Sequence, residues 1–220
     1  MARQARIVVP NQPHHVIQRG NRRQDVFFSD SDYRGYLRLL REHASKSETE
    51  IWAYCLMPNH VHLILVPSNQ DGLRATMAGT HRGYTQRINQ REDWTGHLWQ
   101  DRFQSFPMDE TYFIACARYI EMNPVQAGLA KWAQSWPWSS ATSHINGASD
   151  GVVEIEPLLS LVPDWRNYLE DAPVQDFKDK LVRHATAGRP MGSDGWLAQI
   201  EDITGRNLQT PKRGRPRKQT

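Results

Sequence analysis

The stretch Val61-His62-Leu63-Ile64-Leu65-Val66 is apolar at odd and even positions alike, broken only by one histidine. Neighbouring side chains of a strand point to opposite faces, so a strand apolar on both must be covered on both. The sequence therefore asks for a central strand with helices packed on each side. His60 and His62 open this run with Val61 between them. Alternation turns both imidazoles to one face, close enough to hold a single metal ion.

Such a site needs a further ligand and a reacting group. The segment Tyr112 to Met122 has helical spacing, and within it only Tyr119 has a polar partner one turn on, at Asn123. One helical face then presents a hydroxyl and an amide oxygen together. Tyr112 and Phe113 read as core aromatics. Pro124 disfavours helical geometry in the residue before it, so the helix is expected to be disrupted or ended there. That leaves Asn123 two readings, metal ligand and helix-end cap. Glu121 likewise reads as an extra proton acceptor or ligand, or as part of a solvated helix face.

The remaining elements follow from periodicity. His14 to Arg19 reads as a first strand, closed by Gly20-Asn21, a dipeptide that tolerates positive φ, and by the basic loop Arg22-Arg23-Gln24. Only one of His14 and His15 can face the histidine pair, and the sequence does not say which. Ser31 or Asp32 can cap a helix running to about Ser47. Ile51 to Met57 forms a second strand, joined through Pro58-Asn59 to the histidine strand as an antiparallel hairpin. Leu73 to Asn89 is helical and carries Arg74, His81, Arg82 and Arg87; His97 to Pro107 reads as a strand, and Asp109 caps the helix bearing Tyr119. The expected fold class is α+β, a mainly antiparallel central sheet sandwiched by helices, with a C-terminal helical extension.

The chain has 220 residues, enough for one good-sized domain with appendages. The boundaries read as a main domain over 1–147, an acidic extension over 148–205 made of loops and short helices, and a basic tail over 206–220. No apolar run approaches the roughly 20 residues that span a bilayer, so no membrane partner is expected. The apolar stretch after the basic N-terminus is too short for a secretory signal. Cys55 and Cys116 stand in apolar stretches and read as reduced core residues, which fits a cytoplasmic compartment. Six of the 27 Lys and Arg residues lie in 206–220 with no acid among them, leaving 21 against 24 acidic residues elsewhere. The tail alone makes the protein basic.

Four elements together carry a family resemblance: Gln18-Arg19-Gly20-Asn21, Met57-Pro58-Asn59-His60-Val61-His62, Tyr119-Ile120-Glu121-Met122-Asn123-Pro124-Val125 and Trp136-Pro137-Trp138-Ser139-Ser140. In this order they resemble the single-tyrosine HUH transposases, and most of all the REP-associated tyrosine transposases of bacteria. The resemblance implies a ferredoxin- or RRM-like core and a single-stranded DNA endonuclease and strand transferase that recognises hairpins with short single-stranded flanks. It implies catalysis by Tyr119 through a 5′-phosphotyrosine link, with a divalent metal, Mg2+ or Mn2+, held by His60, His62 and Asn123. Relatives commonly place glutamine where Asn123 stands, so the reach here is shorter. It further implies a bacterial, nucleoid-associated protein.

The chemistry is consistent with those residue types. A phenol with a pKa of about 10 is a weak nucleophile at neutral pH and needs a cation to draw charge from the phosphate it attacks. Exchange of one phosphodiester for another needs no ATP, and no nucleotide-binding glycine loop occurs, so no nucleotide cofactor is expected. Arg19, Asn21, Arg22, Arg23 and Arg82 read as DNA contacts. So do Arg213, Arg215 and Arg217 in the tail, which resembles an AT-hook that fits a narrow minor groove. Trp136 and Trp138 read as core cover in preference to base-stacking platforms. The protein is expected to be a monomer or homodimer. Two further readings stand beside the main one, a non-catalytic hairpin-binding architectural protein and a replication or conjugation initiator.

Overall fold

The structure is a computed structural model that describes residues 6–171 and 175–208. Its elements are β1 (His14–Arg19), α1 (Asp30–Lys46), β2 (Thr49–Met57), β3 (His60–Pro67), α2 (Gly72–Glu92), β4 (Gln104–Pro107) and α3 (Glu110–Gln126). Five shorter helices follow, α4 (Ala141–Asn146), α5 (Glu156–Leu159), α6 (Trp165–Glu170), α7 (Gln175–Ala187) and α8 (Asp194–Thr204). The strands form one antiparallel sheet in the order β2-β3-β1-β4. The first six elements thus make the ferredoxin-like β-α-β-β-α-β arrangement, and the class is α+β.

β3 lies between β2 and β1, as its two apolar faces require. Val61, Leu63 and Leu65 share a core with Tyr36 and Leu40 of α1 and with Leu73 and Met77 of α2. On the opposite face Ile64 joins Cys55, Phe106 and, from α3, Phe113, Cys116 and Ile120. The extension closes that second core with Leu158, Trp165 and Leu169. Full burial of each such large apolar side chain contributes about 1.5–3 kcal/mol, and both layers depend on it. Cys55 and Cys116 are buried free thiols. Trp136 donates to the Leu56 carbonyl at 3.0 Å and Trp138 stacks on Tyr33, so both cover the core as expected. Among the described residues, no helix is long and apolar enough to cross a membrane.

Four expectations are corrected. The strand predicted over His97 to Pro107 shrinks to β4, because β1 offers β4 partners only from His14 to Ile17 and Asp101 takes a left-handed φ of 53° that ends the extended run. The 97–103 segment meets the end of β1 again through the Gly20–Trp99 bridge, the Gln100 N–H to Arg19 carbonyl bond and the Gln18 side chain on the Gln100 carbonyl. Pro124 does not end α3, which continues to Gln126. A proline in the last turn removes one backbone bond and no more, so the helix survives it. α1 starts at Asp30 with Ser29 at its cap position, while Asp32 is fully buried and accepts from the Phe28 N–H and from Arg91. Gly20 has φ −61°, so it does not supply positive φ; a Cβ there would lie 2.2 Å from the Gln24 carbonyl oxygen. Close approach requires this glycine, and the left-handed residues are Arg22 and Arg23.

Candidate active site

His60 and His62 project from β3 onto the face covered by α3, and their rings meet edge to face with centroids 4.9 Å apart. α3 brings the Tyr119 ring edge-on to His62, centroid to centroid 5.7 Å. Asp109 starts that helix by accepting the Tyr112 N–H at 3.0 Å, so a predicted cap sets the position of the tyrosine. Asn123 follows one turn after Tyr119, and its Nδ2 is buried without a hydrogen-bond partner.

Each of the two histidines has a neighbour on its Nδ1. Asn59 Nδ2 donates to the Arg23 carbonyl, which turns its Oδ1 toward His60 Nδ1 at 2.6 Å. Only a protonated Nδ1 can donate there, leaving the His60 Nε2 lone pair free for a cation. His62 Nδ1 lies 3.0 Å from His15 Nε2. When His62 is the donor of that bond, its Nε2 too presents a lone pair. Of the adjacent pair on β1 it is therefore His15 that faces the site. His14 turns to the other side, where its ring bonds the Val9 N–H and the Gln12 carbonyl.

Burial keeps these rings neutral. His60 is pushed down to about 4 by burial and the nearby Arg19, and His15 to about 3 by burial. His62 falls well below the usual imidazole value through burial, with His60, His15 and Arg19 adding to it. Neutral imidazoles are the form that binds metal. Burial raises the Tyr119 phenol, against which Asn123 and Arg19 pull. The hydroxyl is therefore protonated at neutral pH. Neutral imidazole nitrogens and a carboxamide oxygen are donor types that suit a divalent cation.

Arg19 pairs with His60 across the β1–β3 ladder, and its charge acts on His60, His62 and Tyr119. Asn21, Arg22 and Arg23 form a 3-10 turn beside it, with φ of 53° and 62° at the two arginines. Left-handed geometry at two non-glycine residues is uncommon, and here it turns both exposed side chains out at the mouth of the site. Arg82 lies on α2, on the other side of the sheet, and is not part of this cluster. Arg213, Arg215 and Arg217 lie outside the described residues. Sequence reasoning missed Asn59 as the holder of His60; its place directly before the histidine was the available signal.

Glu121 is neither ligand nor solvated. It is fully buried and accepts from Ser140 Oγ, His144 Nδ1 and Trp165 Nε1, each at 2.6 Å. Its helical position faces the 136–170 segment, which α3 needs as a partner, and not the histidines.

The family model for IS200-like transposases matches residues 8–123. A Haemophilus influenzae protein named as a REP-associated tyrosine transposase is 28% identical over 102 residues. That match covers 41% of this chain, and the chain spans only 58% of that relative's length. A solved structure of a REP-associated tyrosine transposase bound to a REP hairpin superposes with a TM-score of 0.58 at 20% identity. The superposition covers 70% of this chain and 90% of the other. The fold is thus shared with that transposase. The chain belongs to the IS200-like transposase family.

Proposed function

We propose that this protein is a metal-dependent single-stranded DNA endonuclease and strand transferase acting at hairpin DNA, with Tyr119 as nucleophile. The observation that carries the reading is the Tyr119 ring against His62, beside His60 and one turn before Asn123. His60, His62 and the Asn123 amide oxygen would hold Mg2+ or Mn2+, which supplies charge to the scissile phosphate and lowers the barrier to attack. Asn59 and His15 orient the two rings. Arg19 holds a non-bridging phosphate oxygen and lowers the cost of forming the phenolate. The Tyr119 oxygen attacks phosphorus as its proton passes to solvent water, the bond to the 3′ oxygen breaks, and that leaving oxygen takes a proton from water. The products are a 5′-phosphotyrosine link and a free 3′-hydroxyl, and the bond energy is kept for rejoining. Arg22 and Arg23, and the tail cations Arg213, Arg215 and Arg217, contribute backbone affinity that carries no sequence information.

The test is incubation of a hairpin oligonucleotide with a single-stranded flank and Mn2+ or Mg2+, followed by denaturing electrophoresis. A covalent protein–DNA species is expected, and Tyr119→Phe abolishes it. Cleavage that persists in Tyr119→Phe contradicts the proposal.

A further inference from the structure

Gln18 belongs to the Gln18-Arg19-Gly20-Asn21 motif, yet the chemistry above uses only its neighbours. It is 3% exposed. Its Nε2 donates to the Gln100 carbonyl at 2.7 Å, while its Oε1 is buried without any donor. Such an atom is costly to leave unmet and calls for a partner. Gln18 lines two adjoining hollows that share Asp101 and Arg102. The smaller, about 120 Å³, also touches Ile17 and Arg19, so it lies where the β1–β4 pairing stops, beside the strand position that pairs with His60. The larger, about 410 Å³, lies between α2 and the 97–103 segment.

The larger hollow is lined by aromatic rings and by Arg6, Arg74 and Arg102, with Asp101 among them. His81 stacks on Trp99 with ring centroids 4.4 Å apart, and Trp99, 8% exposed, has a buried Nε1 with no acceptor. Arg6 and Arg102 sit close enough that Arg102 depresses the Arg6 pKa, second only to burial. Arg6 is held in place over Phe103 by a bond to its carbonyl. Asp101 is the acid in this lining, and a phosphate would add negative charge beside the two guanidiniums. Leu208, the last described residue, packs with Ile7 and Val9, next in the chain to Arg6.

Resting on the endonuclease reading above, we propose that this cleft takes one unpaired nucleobase of the DNA strand that crosses the Tyr119 site. The base lies against the His81–Trp99 wall, its phosphate sits between Arg6 and Arg102, and Gln18 Oε1 accepts from its amino edge. An acceptor with no donor of its own selects bases with an exocyclic amino group over thymine. The 97–103 segment shifts to admit the base, since Gln18 Oε1 is closed to water without it. Arg82 lines the adjoining hollow with His81 and Trp99, which gives that arginine a DNA role away from the histidines.

The experiment uses the full chain and a fluorescent hairpin oligonucleotide whose single-stranded flank carries one abasic site, moved position by position. One position is expected to lose about tenfold in affinity, the effect of removing one stacked base. Replacing that base by thymine also weakens binding. In Gln18→Met the preference against thymine vanishes. In Arg102→Ala, an exposed change, neutralising the phosphate of that nucleotide with a methylphosphonate no longer weakens binding. A flat abasic scan, or the same losses in both variants, overturns the cleft while covalent adduct formation by the wild type leaves the endonuclease reading standing. Absence of both hairpin binding and adduct overturns the two together.

Discussion

Replacing Glu121 by alanine separates support of the catalytic helix from chemistry. The carboxylate sits two residues beyond Tyr119 and joins α3 to Ser140, to His144 of α4 and to Trp165 of α6. Its removal strands two buried donors, His144 Nδ1 and Trp165 Nε1, leaves Ser140 Oγ only the Tyr54 carbonyl, at 3.3 Å, as acceptor, and opens a void beneath α3. Each unmet donor costs about 1–3 kcal/mol before relaxation, and loss of one member of a buried charged network typically costs about 3–5 kcal/mol. We expect a loss near 4 kcal/mol, which for a chain of this size lowers the melting temperature by roughly 8–16 °C. Glu121→Gln keeps the shape and part of the bonding, and should fall about half as far. The assay is thermal unfolding by circular dichroism, read beside adduct formation at a temperature where each variant is folded. Folded Glu121→Ala should keep much of its adduct yield. An unchanged melting temperature together with a lost adduct would refute the reasoning, because the carboxylate would then act on the reaction and not on the fold.

Further outcomes follow from single features. Tyr119→Phe should leave the melting temperature within about 2 °C, since only a hydroxyl is lost, while the adduct disappears entirely. Gly20→Ala forces a Cβ to within 2.2 Å of the Gln24 carbonyl and 2.7 Å of Val26, and should cost about 1–3 kcal/mol in denaturant unfolding. Chelation with EDTA should stop adduct formation while hairpin affinity by anisotropy changes less than about threefold, because arginine contacts supply most of that affinity. His14 is fully buried and pushed down to about 4, so below the unfolded value near 6.5 the unfolded chain binds more protons than the folded one. Stability should therefore fall as pH drops from about 6.5 to 4, by up to about 1.4 kcal/mol per pH unit for this group. Replacement His14→Gln should lessen the total slope by that amount and leave the part due to His15, His60 and His62.

The elements legible in the sequence were those set by local periodicity. Alternation along β3 placed both histidines on one face, and the four-residue step from Tyr119 to Asn123 placed both on one side of α3. Asp109 announced the start of that helix, which a single side-chain bond then fixed. Features that depend on distant partners were not legible. Glu121 looks like any helix-surface acid until Ser140, His144 and Trp165 arrive from later in the chain. His97 to Pro107 reads as a continuous strand because its composition is strand-like, yet pairing ends where β1 does. Pro124 looked like a stop because a proline's cost depends on how many turns follow, and the sequence does not count them. The choice between His14 and His15 needed the register with β3, which sets His15 against Ile64 and directs its ring to His62.

Peptide mapping by mass spectrometry of the species formed with a hairpin oligonucleotide and Mn2+ tests the nucleophile directly. A deoxynucleotide 5′-phosphate should be found on the peptide containing Tyr119 and attached to its phenolic oxygen. Attachment to Tyr112, Tyr168 or any other residue would contradict the site described here.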